Sequence, residues 1–556
     1  MRVKVGALLL CLLCLSATLP ARQPVHARKA MVATQEPHAT EVGLAVLKSG
    51  GNAVDAAVAI GFALAVTHPV AGNIGGGGFL LLRKANGEST FIDFREMAPS
   101  ASTREMYLGP DGKPTRDSIE GWRASGIPGS VRGFELAHRK YGTKPWRSLV
   151  QPSVQLASKG FELPYGTAES LKSSKMLAKF PESRRIFQRD GKFFEMGERL
   201  VQPELAAVLS RIATQGAKDF YEGATARKLA AAMKANGGLI TLDDLRSYQA
   251  VERQPLRGSY KGYEIITAPP PSAGGVGLLQ MLGMLEGSGY EKHGAGSAKS
   301  IHYVAEVMRR FYADRSQYAG DPGFVKVPVS RLLDPKYIES RRKTIDPEKA
   351  TSSDQLGYGD LGPYESSETT HYSVIDAHGN AVAVTYTING SYGSGVTVPG
   401  LGILMNNEMD DFTAKPGEAN MFGMVQGEAN AIRPGARPVS SMTPTIVLRE
   451  GKPFLCFGGP GGTRITTSVL QVLLNVVDFG MNIQDAIDRP RFHHQWKPDE
   501  ISMEPGFSPD TIKLLESMGH NVRQTNLVAR IEGILVDNGW LQGGSDGRSI
   551  GTSAGY

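Results

Sequence analysis

The sequence predicts an α/β (α+β) protein built as a four-layer αββα sandwich, in which two stacked sheets lie between outer layers of helices. Four apolar or alternating segments with high β-propensity predict two strand pairs. They are residues 79–82 with 90–94, and residues 371–376 with 381–388. An alanine-rich stretch, residues 53–65, predicts a helix that packs closely against a sheet.

Each predicted element has a local signal. The chain begins its fold with a strand from about residue 30, followed by a helix that carries the segment 50–55. A glycine cluster at residues 75–78 leads into the first strand pair, whose second strand ends at Arg95. Residues 140–350 alternate amphipathic helical patterns with short turns, which predicts a largely helical middle.

The second strand pair predicts a hairpin with a defined register. Its turn falls at residues 377–380. If the two central residues form the loop, residue 369 faces residue 388, give or take one. Thr387 and Asn389 then lie beside Thr369, so two threonine hydroxyls and an amide meet at one end of the sheet.

Length and composition indicate a soluble globular protein with a sizeable core. The 556 residues are 41% hydrophobic and 21% charged, which is not a disordered composition. The net charge is +6, and no basic run is interleaved with aromatic residues. We therefore expect no nucleic-acid partner.

The amino-terminal residues predict a secretory signal peptide. Two basic residues precede an unbroken apolar run over residues 7–15, which is too short to span a membrane. The triplet 25–27 is the best match to a small-x-small cleavage site, and Ala21 is the alternative, so the predicted signal is residues 1–27 with an end between 21 and 27. We expect a periplasmic or secreted protein with no membrane partner after signal removal, because no later run reaches about 20 apolar residues.

Little in the sequence suggests a metal, a cofactor or a disulfide. Cys456 is the only cysteine beyond the predicted signal, and its apolar neighbours predict a buried core strand. His493 and His494 are adjacent, and adjacent strand residues point to opposite faces. We therefore predict no metal site and no cofactor.

Thr369 is the first candidate for chemistry. It follows a polar segment, residues 358–367, that predicts an exposed loop where a chain can be cut. A threonine hydroxyl is a weak nucleophile, and a free α-amine on the same residue can serve as its base. This requires the hydroxyl to attack the carbonyl of Glu368 and form an ester, from which water releases the new amino terminus. The alternative that Thr369 and Thr370 only begin a strand stays open.

A glycine cluster, residues 458–464, is the second candidate. It follows a predicted strand, residues 453–457, and precedes a predicted helix from about residue 465 to 477. Backbone amides at such a helix start bind anions, which suggests an oxyanion hole. A phosphate loop is improbable because its Lys-Ser/Thr ending is missing. A plain strand-to-helix turn stays open as the alternative.

Three further groups carry charge or hydroxyls. Residues 406–412 hold several acids that could bind an ammonium group or a metal, or form a solvated turn. Ser440 and Ser441 could bind a carboxylate, or belong to an ordinary serine-rich turn. Arg95 offers a fork suited to a carboxylate, although many strand-end arginines are only solvated.

In their order along the chain, these segments resemble the γ-glutamyltranspeptidase family, bacterial members especially. The small-subunit likeness rests on residues 369–374, 387–389, 406–412, 440–441 and 460–462. The large-subunit likeness rests on residues 50–69, 73–78, 91–96, 269–275 and 312–315. The resemblance implies an amino-terminal-nucleophile hydrolase fold. It also implies a large subunit, residues 28–368, and a small subunit, residues 369–556, that form one αββα unit after self-cleavage.

The resemblance further implies the roles of the site residues. Thr369 would attack the γ-amide of glutathione or another γ-glutamyl compound, assisted by Thr387. The amides of Gly461 and Gly462 would form the oxyanion hole. Two sets of side chains would hold the charged ends of the donor: Arg95, Ser440 and Ser441 for the α-carboxylate, and Asn389, Glu408 and Asp411 for the α-amine. Water, an amino acid or a dipeptide would then receive the γ-glutamyl group.

One position departs from the family pattern. Many bacterial members have a lid-loop tyrosine that bonds the asparagine corresponding to Asn389, and the matching residue here is Phe422. A phenyl ring has no hydroxyl to donate, so we expect a lid held by packing alone. Two alternative functions stay open: an acylase of the cephalosporin type, and an uncleaved binding protein for amino acids or peptides outside the cell.

Overall fold

The structure is a computed structural model that describes residues 22–357, 370–415, 420–421 and 427–556. The strands of these residues follow in chain order. They are β1 (Val25–Ala27), β2 (Met31–Thr34), β3 (Gly77–Arg83), β4 (Ser89–Phe94), β5 (Phe161–Glu162), β6 (Arg199–Leu200), β7 (Val251–Arg253), β8 (Leu256–Tyr260), β9 (Tyr263–Thr267), β10 (Thr370–Ile375), β11 (Ala381–Thr387), β12 (Thr397–Val398), β13 (Ile403–Leu404), β14 (Thr445–Arg449), β15 (Lys452–Gly458), β16 (Phe492–His493), β17 (Ile501–Met503), β18 (Val522–Gln524), β19 (Glu532–Asp537), β20 (Trp540–Ser545) and β21 (Thr552–Gly555).

The α-helices of the same residues concentrate between β4 and β10. They are α1 (Pro37–Lys48), α2 (Ala53–Thr67), α3 (Ser130–Tyr141), α4 (Trp146–Lys159), α5 (Tyr165–Ser173), α6 (Lys175–Lys179), α7 (Pro181–Gln188), α8 (Pro203–Gln215), α9 (Ala217–Tyr221), α10 (Ala224–Ala235), α11 (Leu242–Ser247), α12 (Gly274–Leu285), α13 (Ala298–Tyr318), α14 (Val329–Leu332), α15 (Pro335–Arg342), α16 (Arg464–Val477), α17 (Ile483–Asp488) and α18 (Pro509–Ser517).

Two antiparallel seven-stranded sheets form the centre of the molecule. The first has the order β1-β20-β19-β15-β14-β9-β8, and the second has the order β21-β2-β10-β11-β3-β4-β7. The two predicted strand pairs are confirmed as β3 with β4 and β10 with β11, all neighbours in the second sheet.

Side-chain alternation along the strands produces the layers. In β3, Leu80 and Leu82 pack into a core shared with helices α2, α3 and α4. Phe79 and Leu81 belong to a second core that contains residues of both sheets and of α12, α13 and α16. Because successive strand residues point to opposite faces, the second sheet lies between its helices and the first sheet. The predicted αββα architecture is confirmed.

Both sheets contain strands from before and from after residues 358–369. In the second sheet, β10 lies between β2 and β11, and β11 lies between β10 and β3. In the first sheet, β1 pairs with β20, and β9 pairs with β14. The two halves of the chain therefore share one pair of sheets.

The prediction of one helix through residues 50–55 is wrong, because two helices meet there. After α1, Gly50 has a φ of +82°, a left-handed conformation that ends a helix. Asn52 then starts α2: its side chain accepts from the amide of Asp55, whose carboxylate accepts from the amide of Asn52. This capping box satisfies two amides that a helix start leaves unpaired.

The predicted hairpin register is confirmed within its stated range. Ile375 pairs with Ala381 and Thr370 with Tyr386, which is one position from the register of a two-residue loop. The loop is longer because the amide of Asp376 donates to the carbonyl of Asn380 at 3.1 Å and closes a wider turn.

Candidate functional site

The hairpin of β10 and β11 ends at the predicted catalytic position. Thr369 and Glu368 lie outside the described residues, so the first residue placed is Thr370. Its hydroxyl donates to the side-chain oxygen of Gln35 at 3.2 Å. The last residue of β11 is Thr387, one position beyond the partner of Thr370 in the described register.

Thr387 is connected to the predicted acidic segment through Asn389. The amide of Asn389 donates to the Thr387 hydroxyl oxygen at 2.7 Å, and its side-chain amide donates to the carbonyl of Asn407 at 2.8 Å. The side-chain oxygen of Asn407 in turn accepts from the amide of Gly390 at 2.9 Å. Asn389 has a φ of +71°, which asparagine tolerates better than most residues. The chain therefore turns sharply here and places Glu408 near the end of the hairpin.

Arg95 lies at the centre of a buried ionic cluster. Its guanidinium donates to the carboxylates of Glu408 and Asp411, which lie on a short 3₁₀ helix, Glu408–Asp411. It also donates to the carbonyls of Pro438 at 3.0 Å and Val439 at 2.9 Å, directly before Ser440. One arginine therefore joins the two groups of residues predicted to hold opposite ends of a zwitterion.

Burial decides between the readings of these residues. Arg95 is 1% exposed, and Glu408 and Asp411 are fully buried, so a solvated arginine and a solvated acidic turn are both wrong. These residues instead pair their opposite charges with one another, as buried ions require.

A third carboxylate, Glu96, completes this cluster. It is fully buried, lies 3.6 Å from a guanidinium nitrogen of Arg95, and accepts no hydrogen bond from the described residues. Burial raises the pKa of Glu96 to about 7, and the Arg95 charge opposes the rise. Burial also raises the pKa of Glu408 well above its ordinary value. The cluster therefore holds more carboxyl groups than its cation can balance.

Ser440 and Ser441 lie next to the cluster and are buried. The Ser440 hydroxyl accepts from the amide of Met442 at 3.1 Å. The guanidinium of Arg315, on α13, donates to the hydroxyl of Ser441. Both serines are therefore fixed in place rather than part of a mobile surface turn.

The second glycine cluster lies between β15 and α16, as predicted. Gly461 has a φ of +149° and Gly462 a φ of +63°, conformations that favour glycine. A Cβ atom on Gly461 would lie 2.6 Å from the Cβ of Ala529. Within the described part of the chain, neither glycine amide donates a hydrogen bond. Two adjacent amides without acceptors are unusual in a folded protein and are suited to an anionic oxygen.

A cavity of about 560 Å³ opens beside this glycine pair. Gln35, Asn389 and Gly461 all line it, so it reaches the partner of Thr370, the end of the hairpin and the first residue of the glycine pair. Arg95, Glu408 and Asp411 are not among its described lining residues. The predicted residues therefore fall into two neighbouring places, a buried ionic cluster and an open cavity, which Asn389 connects.

The sequence analysis did not assign four residues that support the site: Gln35, Glu96, Asn407 and Arg315. Three lie inside segments that it singled out, next to an assigned residue or in the 312–315 motif. Gln35 had no such signal, because its contact with Thr370 spans 335 positions of the chain.

The remaining predictions concern metals, the membrane and the lid. His493 contacts Thr467 and Gln495, whereas His494 contacts Asp499, so the adjacent histidines have separate partners. Among the described residues no group of three or more His, Cys, Asp or Glu could hold a metal ion. No helix in the described ranges is both long and apolar enough to cross a bilayer. Phe422 lies outside the described residues.

Comparisons with known proteins show the family of the chain. A family model described as Gamma-glutamyltranspeptidase matches residues 39–556. The glutathione hydrolase proenzyme of Escherichia coli (strain K12) is 50% identical over 538 residues, which covers 96% of this chain and 93% of that protein.

Two solved structures show the same fold. A cephalosporin acylase from Bacillus halodurans has a TM-score of 0.86 and 27% identity, and the match covers 98% of both chains. A γ-glutamyltranspeptidase from Helicobacter pylori has a TM-score of 0.58 and 43% identity, and the match covers 61% of this chain and 96% of that chain. Sequence and structure together show that the chain belongs to the γ-glutamyltranspeptidase family.

Proposed function

We propose that this chain is a self-processing γ-glutamyltranspeptidase and glutathione hydrolase that uses Thr369 as its nucleophile. The observation that carries the proposal is the pair of adjacent amides at Gly461 and Gly462, which donate no hydrogen bond to the described residues. Gly461 lies on the wall of a cavity that also reaches Asn389 and Gln35. The 50% identity to a glutathione hydrolase proenzyme over 96% of the chain supports the substrate class.

Maturation takes place first. The Thr369 hydroxyl attacks the carbonyl carbon of Glu368, the peptide C–N bond breaks, and an ester forms. Water then hydrolyses this ester and leaves Thr369 with a free α-amine. The amine has a reference pKa of about 8, so at neutral pH a useful fraction can accept the hydroxyl proton.

Turnover uses the same hydroxyl on a γ-glutamyl amide. The Thr369 oxygen attacks the γ-carbonyl carbon, and the developing negative charge on the carbonyl oxygen is stabilised by the amides of Gly461 and Gly462. The amide C–N bond then breaks, and the leaving amine takes the proton that the α-amine of Thr369 accepted from the hydroxyl. Water or the amine of an amino acid or dipeptide then attacks the γ-glutamyl ester and restores the threonine hydroxyl.

The buried ionic cluster holds the α-amino and α-carboxylate groups of the donor. Arg95, with Ser440 and Ser441, binds the carboxylate, while Glu408 and Asp411, with Asn389, bind the ammonium group. Since Arg95 pairs with Glu408 and Asp411 in the structure, a zwitterion would replace these internal pairs with equivalent pairs of its own and leave the net charge of the cluster unchanged.

Three variants of adjacent threonines test the proposal. Thr369→Ala should abolish both cleavage and hydrolysis of γ-glutamyl-p-nitroanilide, whereas Thr369→Ser keeps a hydroxyl and should retain part of each. The matched control Thr370→Ala removes the neighbouring hydroxyl and should still cleave. Amino-terminal sequencing of the bands on a denaturing gel gives the cleavage site, and an active Thr369→Ala protein would refute the nucleophile assignment.

A cephalosporin-type acylase is the second candidate, favoured by the TM-score of 0.86 to the Bacillus halodurans acylase. The two functions differ in the acyl group that the site holds. A glutaryl group lacks the α-amine, so it would leave the Glu408 and Asp411 carboxylates without a substrate cation. We expect γ-glutamyl-p-nitroanilide to be hydrolysed much faster than glutaryl-p-nitroanilide, and the reverse preference would support the acylase. An uncleaved binding protein would give one stable band and hydrolyse neither.

We further propose export with signal cleavage after Ala21. Val25–Ala27 is strand β1, which pairs with β20 at the edge of the first sheet, and Ala27 is 4% exposed. Cleavage after Ala27 would remove this strand, whereas cleavage after Ala21 keeps it. The amino terminus of the large fragment from the periplasm or medium distinguishes the two sites.

A further inference from the structure

The cavity beside Gly461 has a strongly cationic lining. Its described lining residues include three arginines, Arg464, Arg530 and Arg548, and no aspartate or glutamate. Its volume of about 560 Å³ is within the usual range of small-molecule sites. A cavity with cations on its walls and no lining carboxylate attracts anionic ligands.

The three arginines differ in how far their charge is already compensated. Arg548 pairs with Asp546 at 3.0 Å and with Glu504 at 2.7 Å. Arg464 donates to the carbonyl of Leu527 at 2.9 Å and has a further contact. Arg530 uses only its Nε, which donates to the carbonyl of Arg548 at 3.2 Å, and forms no ion pair with the described residues. Arg530 therefore keeps the most uncompensated charge on the cavity wall.

The backbone fixes Arg530 next to the predicted oxyanion hole. Its amide donates to the carbonyl of Pro460 at 3.2 Å, and a Cβ on Gly459 would collide with its carbonyl oxygen. Its neighbour Ala529 packs directly on Gly461. Arg530 therefore directly follows the residue that packs on Gly461, the glycine whose amide is proposed to bind the acyl oxygen.

The other basic side chain among the described lining residues does not add charge. His68 lines the same cavity, and burial together with the Arg530 charge lowers the pKa of His68 to about 4, against the opposing effect of Glu36. Its imidazole is neutral at physiological pH. The charge that an incoming anion meets is therefore that of the arginines.

The position of the cavity tells which part of a substrate it receives. Of the residues proposed to hold the donor's charged groups, Asn389 is among the described lining residues, whereas Arg95, Glu408 and Asp411 are not. The lining also includes Gly461, whose amide is proposed to hold the acyl oxygen. A group bound in the cavity would therefore lie next to the reacting carbonyl and apart from the ionic cluster, as a leaving group does. By microscopic reversibility, an acceptor amine attacks from the place that the leaving amine vacates.

We propose that this cavity is the acceptor and leaving-group site, and that Arg530 selects amines that carry a free carboxylate. This rests on the proposed γ-glutamyl transfer. In that step the acceptor nitrogen forms the new amide bond to the γ-carbonyl carbon, the C–O bond to Thr369 breaks, and the amine proton passes to the threonine oxygen. The acceptor's carboxylate meanwhile pairs with the free Nη groups of Arg530, as a planar guanidinium favours.

The test compares two acceptors that differ only in this charge, glycylglycine and glycylglycinamide, in the transfer of γ-glutamyl from γ-glutamyl-p-nitroanilide. The wild-type protein should prefer glycylglycine in kcat/KM. In Arg530→Gln the ratio of the two kcat/KM values should fall by about tenfold or more, because a charge-assisted hydrogen bond is lost. Arg530→Lys keeps the charge and should retain part of the preference.

Arg449→Gln is the matched control. Arg449 is an exposed arginine at the end of β14, paired with Asp537 outside the cavity, and its loss should leave the ratio at the wild-type value. An unchanged ratio in Arg530→Gln would overturn the proposal, as would a wild-type protein without preference. Because the readout is a ratio within one protein, a partly unfolded variant does not mimic the effect.

Failure of the proposed function appears separately, as a wild-type protein that does not hydrolyse γ-glutamyl-p-nitroanilide in the absence of any acceptor. Calorimetric titration of the two dipeptides then tests the cavity alone. Weaker binding of glycylglycine to Arg530→Gln than to Arg449→Gln supports the anion site, and equal binding of both dipeptides to the wild-type protein overturns it.

Discussion

At the scale of single residues, Arg95 is a buried charge that is also proposed to bind the donor. Its guanidinium is 1% exposed and pairs with two fully buried carboxylates. A buried ion pair of this kind contributes little net stability when intact, but removing one partner leaves the other as an unpaired charge in a medium of low polarity.

Arg95→Gln should therefore destabilise the folded protein as well as weaken donor binding. We expect a loss of about 3–5 kcal/mol in the free energy of unfolding, because Glu408 and Asp411 lose their cation. Denaturant unfolding measures the change. The exposed control Arg449→Gln should stay within about 0.5 kcal/mol of the wild type. An Arg95→Gln protein as stable as the control would show that the carboxylates take up protons at little cost.

Glu96 should make stability fall as the pH rises through the weakly acidic range. The folded pKa of about 7 lies above the ordinary value of 4.5, so between these values the folded state holds a proton that the unfolded chain has lost. The contribution of Glu96 to stability is thus fully present below about pH 4.5 and is lost as the pH approaches 7.

Glu96→Gln keeps the size and shape of the protonated side chain but cannot titrate. Its melting temperature relative to the wild type should rise by about 2 °C or more between pH 5 and pH 7.5. Glu105→Gln, at an exposed position, is the control, and its melting temperature relative to the wild type should not rise in this way between pH 5 and pH 7.5. A melting-temperature difference for Glu96→Gln that is constant with pH would mean that Arg95 keeps Glu96 ionised throughout.

At the scale of elements, the close approach of the two sheets depends on Gly458, the last residue of β15. A Cβ atom at this position would lie 2.6 Å from the imidazole of His371 on β10. That imidazole is buried and its pKa is lowered to about 3, so it packs as a neutral group bonded to Thr385 and Ser373. The packing joins the strand that leads to the glycine pair with the strand that begins at Thr370.

Gly458→Ala should therefore cost about 1–3 kcal/mol of stability, because the added methyl group overpacks a rigid contact. It should also lower activity, since β15 positions the predicted oxyanion amides. Thermal unfolding and the kcat for γ-glutamyl-p-nitroanilide give the two readouts. Gly323→Ala is the control, because its added Cβ would meet only an ordinary contact at 3.4 Å. If Gly458→Ala and Gly323→Ala had the same melting temperature, the sheets could separate at this point without a loss of stability.

The elements themselves could be predicted from sequence, but their mutual pairing could not. Periodicity located β3, β4, β10 and β11, and the register of the hairpin followed to within one residue. The break before α2 was missed, because the apolar pattern continues on both sides of residues 50–52 while the ending depends on a left-handed glycine and a cap.

The pairings within the candidate site could likewise not be predicted, because their residues are far apart in the sequence. The residues of the ionic cluster could be named from the family pattern, yet nothing local indicates that Arg95 bonds carboxylates more than 300 positions away in the free protein. The uncompensated charge of Arg530 is likewise visible only once its neighbours are placed. Motifs predict which residues meet, whereas the balance of charge among them requires the fold.

At the scale of the whole molecule, the parts of the chain before and after residues 358–369 are separate in sequence but share both sheets. Each sheet combines strands from before and after residues 358–369, with β10 and β11 inserted between β2 and β3. The proposed cleavage at one peptide bond would remove no hydrogen bond between these strands. We therefore expect the two fragments to remain a single folding unit.

We expect the cleaved protein to behave as one particle until it unfolds. The smaller fragment, 556 − 369 + 1 = 188 residues from Thr369 to the last residue, should co-elute with the larger fragment in gel filtration and separate only in denaturant. Uncleaved Thr369→Ala is the control and should elute at the same volume. Both fragments should also unfold in a single thermal transition, because neither has a complete sheet without the other. Elution of a free 188-residue fragment under native conditions would show that the interleaved strands do not hold the halves together.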